Sequence, residues 1–562
     1  MAAADDAPSG AVHSEGIGGL LRECVIVVLN VNDVLEGHVA LDVQCLDRIY
    51  LNGYVPTLQV GGQVVSFMTR HLGYRIPSPA ILEKIGTAFR RSVNSFAEAN
   101  HIPLIRFAKD DRKIDVMRRY MRVQERVGRS GVVAIGVAQE YQNVFASTQR
   151  QGTNGIPCFG FHKADRRVTC FYFYLWDTDF GPAFIKICAY FPYPIKVWIN
   201  GHEWAKRQAT HAGIAFTELS NGFAACEDPR SLQEICDRLG PGTIEVFFQR
   251  WLAVLPLPLT DHDADAGYWW ELSMRQVEIS RTLVFDAPRR ARGFFEALVA
   301  DNLDIGRPDS VELIFTGHAP HSRPGRPPDP GLCKTKIVTR DTDVTVNAFY
   351  KHSRIKQYLK DGRALRIETV VNSPDDLRCH RRLEHLGELQ TKARDINRRL
   401  LDTERVGQGC VLASPAFERV ALPTLTADGK RAPALRFGDP RVMALLGALC
   451  VSLTALGFTH RSLRARVNHL LGIGYSTNQM SYDLARLRRN GLIERRPHTN
   501  TYTLTADGLR VALFYTKVHN RLLRPLLAAD KAPAPAPLRQ ALAAIDHHVN
   551  GYIDNARMKN TA

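Results

Sequence analysis

"STNQMSYDLARLRRNGLIERRPHTNTYTLTADG", residues 476–508, runs from a polar start through an arginine-bearing segment and a hydrophobic step to a threonine-rich hairpin. Ser476 is placed to cap a helix, with Gln479 three residues on as its capping-box partner. Met480, Leu484 and Leu487 fall within about 60° of one another on a helical wheel of about 100° per residue and form a core stripe. The opposite face carries Asn478, Tyr482, Arg486 and Arg489. An amide, a ring and two guanidinium groups are the groups that contact base edges and phosphates. Asn490-Gly491 ends the helix, because a left-handed residue is needed there. "LIERRP" then predicts a strand, "HTN" a turn and "TYTLT" a returning strand, with Arg495, Arg496 and His498 on the hairpin.

Just upstream, "RVMALLGALC" and "RSLRARVNHLLG" predict two more helices. The order of three helices and a hairpin resembles the winged helix-turn-helix of MarR-like regulators. The resemblance covers about 90 of the 562 residues, and "LRRNGLIERRP" is similar to the segment joining recognition helix and wing in that family. It implies duplex DNA as partner, the third helix in the major groove and the wing along the backbone. A following helix at 509–523 has Val511, Phe514, Tyr515, Val518 and Leu522 on one side. In MarR-like proteins such a helix dimerises, which implies a homodimer; here it can equally dock on the upstream domains. The whole chain also resembles a set of bacterial proteins without an assigned activity, through "FGPAFIKICAYFPYPIKVWINGHEWAKRQ" and "HSRIKQYLKDGRALRIETVVN". That implies a bacterial multidomain protein and nothing about chemistry.

The charge agrees with a nucleic-acid partner. The net charge is +16, and only 17 of the 73 basic residues are lysine. Arginine binds phosphate bidentately and stacks on bases, so this excess favours nucleic acid over a membrane surface. The 11 cysteines are dispersed without a C-x-x-C pair, as expected of reduced thiols in a cytoplasmic, nucleoid-associated protein. No run of about 18 apolar residues suggests a membrane span.

The chain reads as an α+β multidomain protein, with mixed α/β and antiparallel-sheet domains ahead of a C-terminal winged helix. Residues 1–16 form a small, polar, disordered lead-in. Residues 17–155 form an α/β unit, with a buried-strand candidate in "GLLRECVIVVLNV" and a helix in "SPAILEKIGTAFRRSVNSFAEAN". Residues 156–318 form hairpins followed by helices, with "GYWWELSMRQVEISRTLVF" read as helical. Five prolines and two glycines in "APHSRPGRPPDPG" predict a linker loop over 319–333. Residues 334–439 hold basic antiparallel strands and a long helix from about 380 to 406. The winged unit covers 440–528, and a proline-rich spacer with a short helix covers 529–562. No repeat of fixed period is visible, but the hairpin-rich blocks at 166–200 and 334–372 are candidates for related halves.

Several constellations are candidates for chemistry. "FYKHSRIKQYLKDGRALRIETVVN" places Lys351, Arg354, Lys356 and Arg366 on strands among tyrosines, which suits a nucleic-acid platform or an ordinary solvated basic edge. The same stretch is loosely similar to rolling-circle replication initiators, which implies Tyr358 as nucleophile, although the paired histidines of that family are missing. Two acidic clusters suit a hydrated Mg²⁺: Asp110 and Asp111 with Lys113, and Asp177 and Asp179 with Lys186. The second is similar to the nuclease pattern that ends in E-x-K, without its glutamate. Acidic residues at turns and helix starts also serve as caps. Mg²⁺ is the one cofactor implied, and Walker, dinucleotide-binding and nucleophile-elbow motifs are absent. Three classes follow: a DNA-binding regulator or mobile-element factor, a metal-dependent nuclease, recombinase or replication initiator, and an RNA-binding component.

Overall fold

The computed structural model describes residues 35, 37–108, 111–151, 157–305, 310–314, 333–340, 343–406, 415–426, 429–450, 457–472 and 474–519, with scattered positions between 537 and 548. The predicted lead-in, the strand candidate at 19–31, the linker loop at 319–331 and Asp110 lie outside the described residues. The architecture is mixed α/β and dominated by one 12-stranded sheet.

The first half of that sheet comprises β1 (Val39–Tyr54), β2 (Leu104–Arg106), β3 (Gly131–Gln151), β4 (Pro157–Asp177), β5 (Gly181–Cys188) and β6 (Ile195–Asn200). A small hairpin, β7 (Phe216–Leu219) with β8 (Gly222–Cys226), stands apart. The second half comprises β9 (Glu271–Phe285), β10 (Ser310–Ile314), β11 (Cys333–Arg340), β12 (Asp343–Tyr350), β13 (Ser353–Lys360) and β14 (Ala364–Val371). Their order is β10-β11-β12-β13-β14-β9-β1-β6-β5-β4-β3-β2. A division at 155/156 therefore separates two long strands that pair with each other, and the strands at 334–372 continue the same sheet.

The two halves repeat one plan. A central strand leads to a helix, then to an edge strand parallel to its neighbour, then to three antiparallel hairpin steps back to the central strand. The helices are α1 (Pro79–Ala99) after β1 and α6 (Pro288–Ile305) after β9. A further helix follows each last strand: α3 (Gly201–His211) and α7 (Leu386–Val406). The register carries the repeat residue by residue. Arg48 pairs with Glu278 and Tyr50 with Gln276; Leu46 pairs with Ile279 and Leu51 with Met274; Cys45 pairs with Ser280 and Asn52 with Ser273. Within each of these couples, one pair is the image of the other under a pseudo-two-fold axis through the Ile49–Val277 pair. Two bulges obey the same axis, one leaving Asp47 unpaired on β1 and the other leaving Arg275 unpaired on β9.

Two sequence expectations need correction. Residues 271–285 form β9, not a helix. This strand is covered on both faces, so it lacks simple alternation; Val277, Ile279, Thr282, Val284 and Phe285 carry its β preference instead. The long helix begins at Leu386 rather than near 380, because Arg382 is extended and residues 383–385 form a 3-10 turn ahead of it.

The C-terminal unit has its own core. Its helices are α8 (Pro440–Cys450), α9 (His460–Leu471), α10 (Thr477–Arg489) and α11 (Ala506–Lys517). Its three strands, β15 (Phe458–Thr459), β16 (Ile493–Arg495) and β17 (Thr501–Leu504), run in the order β15-β17-β16. Ser476 and Gln479 form the expected reciprocal cap, with bonds of 3.2 and 2.8 Å. Met480, Leu484 and Leu487 are buried, and Gly491 takes the left-handed turn at φ 70°. Val511 and Tyr515 of α11 are buried in this core, where the Tyr515 hydroxyl donates to Leu435 O at 2.7 Å.

Ile49 sits on the pseudo-axis, fully buried in the larger core. Ile49→Ala is expected to cost about 2–5 kcal/mol of unfolding free energy. A urea titration that found under ~0.5 kcal/mol would remove the axis pair from the core of the fold.

Candidate functional site

The bulge in β1 turns Asp47 onto the same patch as Glu278 of β9 and Glu368 of β14. All three are buried, at 1, 5 and 4% exposure, and one carboxylate oxygen from each lies within 4.8 Å of the others. Three cations surround them. Arg366 Nη1 lies 3.3 Å from Asp47 and 3.9 Å from Glu368, Lys356 Nζ is 3.1 Å from Glu368, and Arg48 is 3.8 Å from Asp47 and 3.9 Å from Glu278. Tyr358 donates to Glu368 Oε1 at 2.6 Å, and Asn221 Nδ2 donates to Asp47 Oδ1 at 2.6 Å. Glu278 accepts from Gln276 through Oε1 at 2.7 Å, while its Oε2 is buried with no hydrogen-bond donor. Burial pushes the Glu278 carboxyl up; Lys356 opposes this, and Glu368 and Asp47 add to it.

Behind the patch, Asn200 caps α3 and holds His202 in place. His202 is fully buried, and burial pulls its pKa down. A neutral imidazole fits its role, since Nε2 accepts from Arg366 Nη1 at 3.0 Å.

A second cluster occupies the first half of the sheet. Glu140 of β3 accepts from Lys113, from Lys186 of β5, and from the Tyr172 hydroxyl at 2.6 Å. Lys113 starts helix α2 (Lys113–Val127) and also donates to Tyr172 at 2.9 Å. Burial pushes Glu140 up, but the hydrogen bonds from Lys113, Lys186 and Tyr172 outweigh it and hold the group at about 2. The cluster borders a cleft of about 700 Å³ whose lining includes Arg90, Arg106, Asp111 and Arg167.

These contacts sort the residues expected from sequence. Lys113 and Lys186, drawn from different clusters, meet on Glu140. Asp111 instead accepts from Ala108 N at 2.7 Å and closes a turn. Asp177 lies five residues along β4 from Tyr172, on the other face of the sheet. It is fully buried and accepts from Asp179 N, Phe180 N, Arg250 and Trp251 Nε1. Asp179 pairs with Arg250 at 3.1 Å. The expected grouping of Asp177 and Asp179 with Lys186 is therefore not formed. Tyr358 is held as a donor to Glu368, and burial raises its pKa far above the usual range. Lys356 and Arg366 belong to the carboxylate patch rather than to a solvated platform; Arg366 is 0% exposed. Lys351 sits exposed at the β12–β13 turn with φ 52°, and Arg354 is half-buried.

In the C-terminal unit, Asn478, Tyr482 and Arg489 of α10 are exposed, and so is Arg488, which the sequence pattern did not single out. Arg486 is not: its side chain is 11% exposed, 3.3 Å from Pro433 O and 3.7 Å from Asp483. Arg495 is exposed and bonds Thr499 O and Asn500, and His498 is exposed in the turn at φ 54°. Arg496 is half-buried; burial lowers its pKa, with Arg399 and Asp395 of α7 among its charged neighbours.

Asp47, Glu278, Glu368 and Glu140 carry no sequence motif, because their partners come from other elements: those of Glu140 lie 27 to 46 residues away in the chain, and the three acids of the patch lie farther apart still. The available signal was a carboxylate inside a largely apolar strand, as Asp47 beside Arg48 in "CLDRIYL". Against family models, curated proteins and solved structures, the chain finds no match.

Because the folded-state pKa of Glu140 is depressed, its stabilisation is present above about 4.5 and is lost as pH falls toward about 2. Glu140→Gln is expected to flatten the fall of denaturation midpoint over that window. An unchanged acid limb would show that Glu140 is not held as an anion.

Proposed function

We propose that this protein binds duplex DNA through its C-terminal unit, a winged helix-turn-helix in which α10 enters the major groove and the β16–β17 turn serves as the wing. The observation that carries this reading is the outer face of α10. Asn478, Tyr482, Arg488 and Arg489 are exposed there while the opposite stripe is buried. Tyr482 is 50% exposed, a large ring on a helix that has buried its apolar side elsewhere. Arg464 of α9 extends the basic surface, bonding the Thr477 hydroxyl at the helix start. Arg495 and His498 supply the wing. Arg486 is assigned to packing because Pro433 O and Asp483 engage it, and Arg496 because it is half-buried near α7. The basic strands at 349–372 offer less to a nucleic acid, because Lys356 and Arg366 are engaged in the sheet.

Asn478→Ala, Tyr482→Ala and Arg489→Ala are each expected to weaken binding of a labelled mixed-sequence duplex by about 1–3 kcal/mol with unchanged melting temperature. Arg486→Ala is expected to lower the melting temperature instead. Fluorescence anisotropy across a salt series checks the binding arm, since removing a side chain that holds one phosphate reduces the salt slope by about one. A triple variant that binds like the parent would overturn the assignment.

A further inference from the structure

We propose that Asp47, Glu278 and Glu368 form a divalent-cation site, and that Arg48, Arg275 and Lys196 hold a phosphate group on the open side of that ion. This is independent of the C-terminal unit.

The donor set has the right chemistry and reach. Mg²⁺ and Ca²⁺ take carboxylate oxygens at about 2.0–2.6 Å, so two oxygens on one ion stand at most about 4–5 Å apart. The three oxygens already satisfy this. They come from three neighbouring strands of one sheet, which fixes their positions. Glu278 adds a second, separate observation. It is only 5% exposed, and its Oε2 has no donor. The nearest cation, Arg48, stands at 3.9 Å, beyond a hydrogen bond. A buried carboxylate oxygen without a partner, beside two further carboxylates, has a lone pair free to ligate a cation.

The pseudo-two-fold axis identifies the phosphate side. The images of Asp47 and Glu278 are Arg275 and Tyr50. The image of Glu368 is Lys196, because Asn52 pairs with Lys196 as its image Ser280 pairs with Glu368. Lys186 and Lys356 are images in turn, through their pairing with Lys196 and Glu368. The axis thus carries three acids, drawn from both halves, onto two cations and a tyrosine. Among the described residues, neither Arg275 nor Lys196 forms an ion pair. Burial, Arg275 and Lys186 together pull Lys196 down to about 8. Glu140 opposes that shift without forming an ion pair with Lys196, and cations that lack an ion pair of their own fit an incoming anion. Tyr50, next along β1 on the face of Arg48, lies between the two groups: it interacts with Arg48 and Glu278 of one and Arg275 of the other. A phosphate placed there would meet the metal on one side and the cations on the other.

The test uses the full-length protein with Mn²⁺ as probe, followed by electron paramagnetic resonance and calorimetry. The expected result is one Mn²⁺ per chain, displaced by Mg²⁺, with affinity lowered at least tenfold in Glu278→Gln and in Glu368→Gln. Both changes keep side-chain size, and circular dichroism confirms the fold of whichever variant is read. Inorganic phosphate and a dinucleotide are then titrated with and without Mn²⁺. Either should bind more tightly with the metal present, and the two titrations distinguish a free phosphate from a phosphodiester. Lys196→Ala with Arg275→Ala should abolish that gain without weakening Mn²⁺ binding. No bound Mn²⁺, or parental affinity in both carboxylate variants, would overturn the cation site. A metal-dependent phosphate gain that survives removal of Lys196 and Arg275 would overturn the phosphate side.

Discussion

The antiparallel pairing of β1 with β9 is the constraint on which the large sheet depends. Each strand is the innermost member of its own six-stranded half, so this one ladder joins the halves. A β ladder has a period of two, and a slip of one residue would exchange its faces. Here the register also has to place two bulges symmetrically. Bulges add one residue and re-aim a side chain. In this sheet the two re-aimed residues are Asp47 and Arg275, opposite in sign and related by the axis. The geometry repeats while the charge does not.

That divergence concentrates unusual electrostatics at the centre of the sheet. Removing carboxylates from water is expensive, and an ion pair offsets that cost only with good geometry and satisfied lone pairs. Asp47 and Glu368 approach that condition, with Asn221, Arg366, Tyr358 and Lys356 around them. Glu278 does not. Three acids against three cations is an even count, yet Arg48 remains at 3.8–3.9 Å from both of its partners. A purely structural network would gain from closing those gaps. Replacing such a network by apolar side chains often costs nothing, so stability alone does not explain it.

Legibility from sequence tracked how local each signal was. The cap at Ser476, the stripe of Met480, Leu484 and Leu487 and the left-handed Gly491 are short-range rules, and the structure has them where the sequence placed them. Hairpins such as 166–188 were readable for the same reason. The strand β9 was not, because burial on both faces erases the alternation that distinguishes strand from helix. The repeat was visible only as two hairpin-rich blocks, since its evidence lies in register rather than in residue identity. Arg486 failed differently: its wheel position is at the flank of the exposed face, and Pro433, some fifty residues upstream, supplied the carbonyl that captured it.

The site residues escaped for a related reason. A carboxylate at 47, another at 278 and a third at 368 share no spacing that a motif can encode. They converge because β1, β9 and β14 are adjacent in the sheet though far apart in the chain. Sequence did supply the neighbours: Lys356, Tyr358 and Arg366 stood out by composition and proved to surround Glu368. Their basic character, read as a surface for nucleic acid, is largely engaged by the buried acids they accompany. A charge-rich strand in the interior of a wide sheet is therefore better evidence of an opposite charge on the adjoining strand than of a partner in solvent. By the same reasoning, Lys196, which faces Asn52 and Lys186 across its two ladders, and Arg275, left unpaired by the bulge in β9, differ from Lys356 and Arg366 in having no acid opposite them.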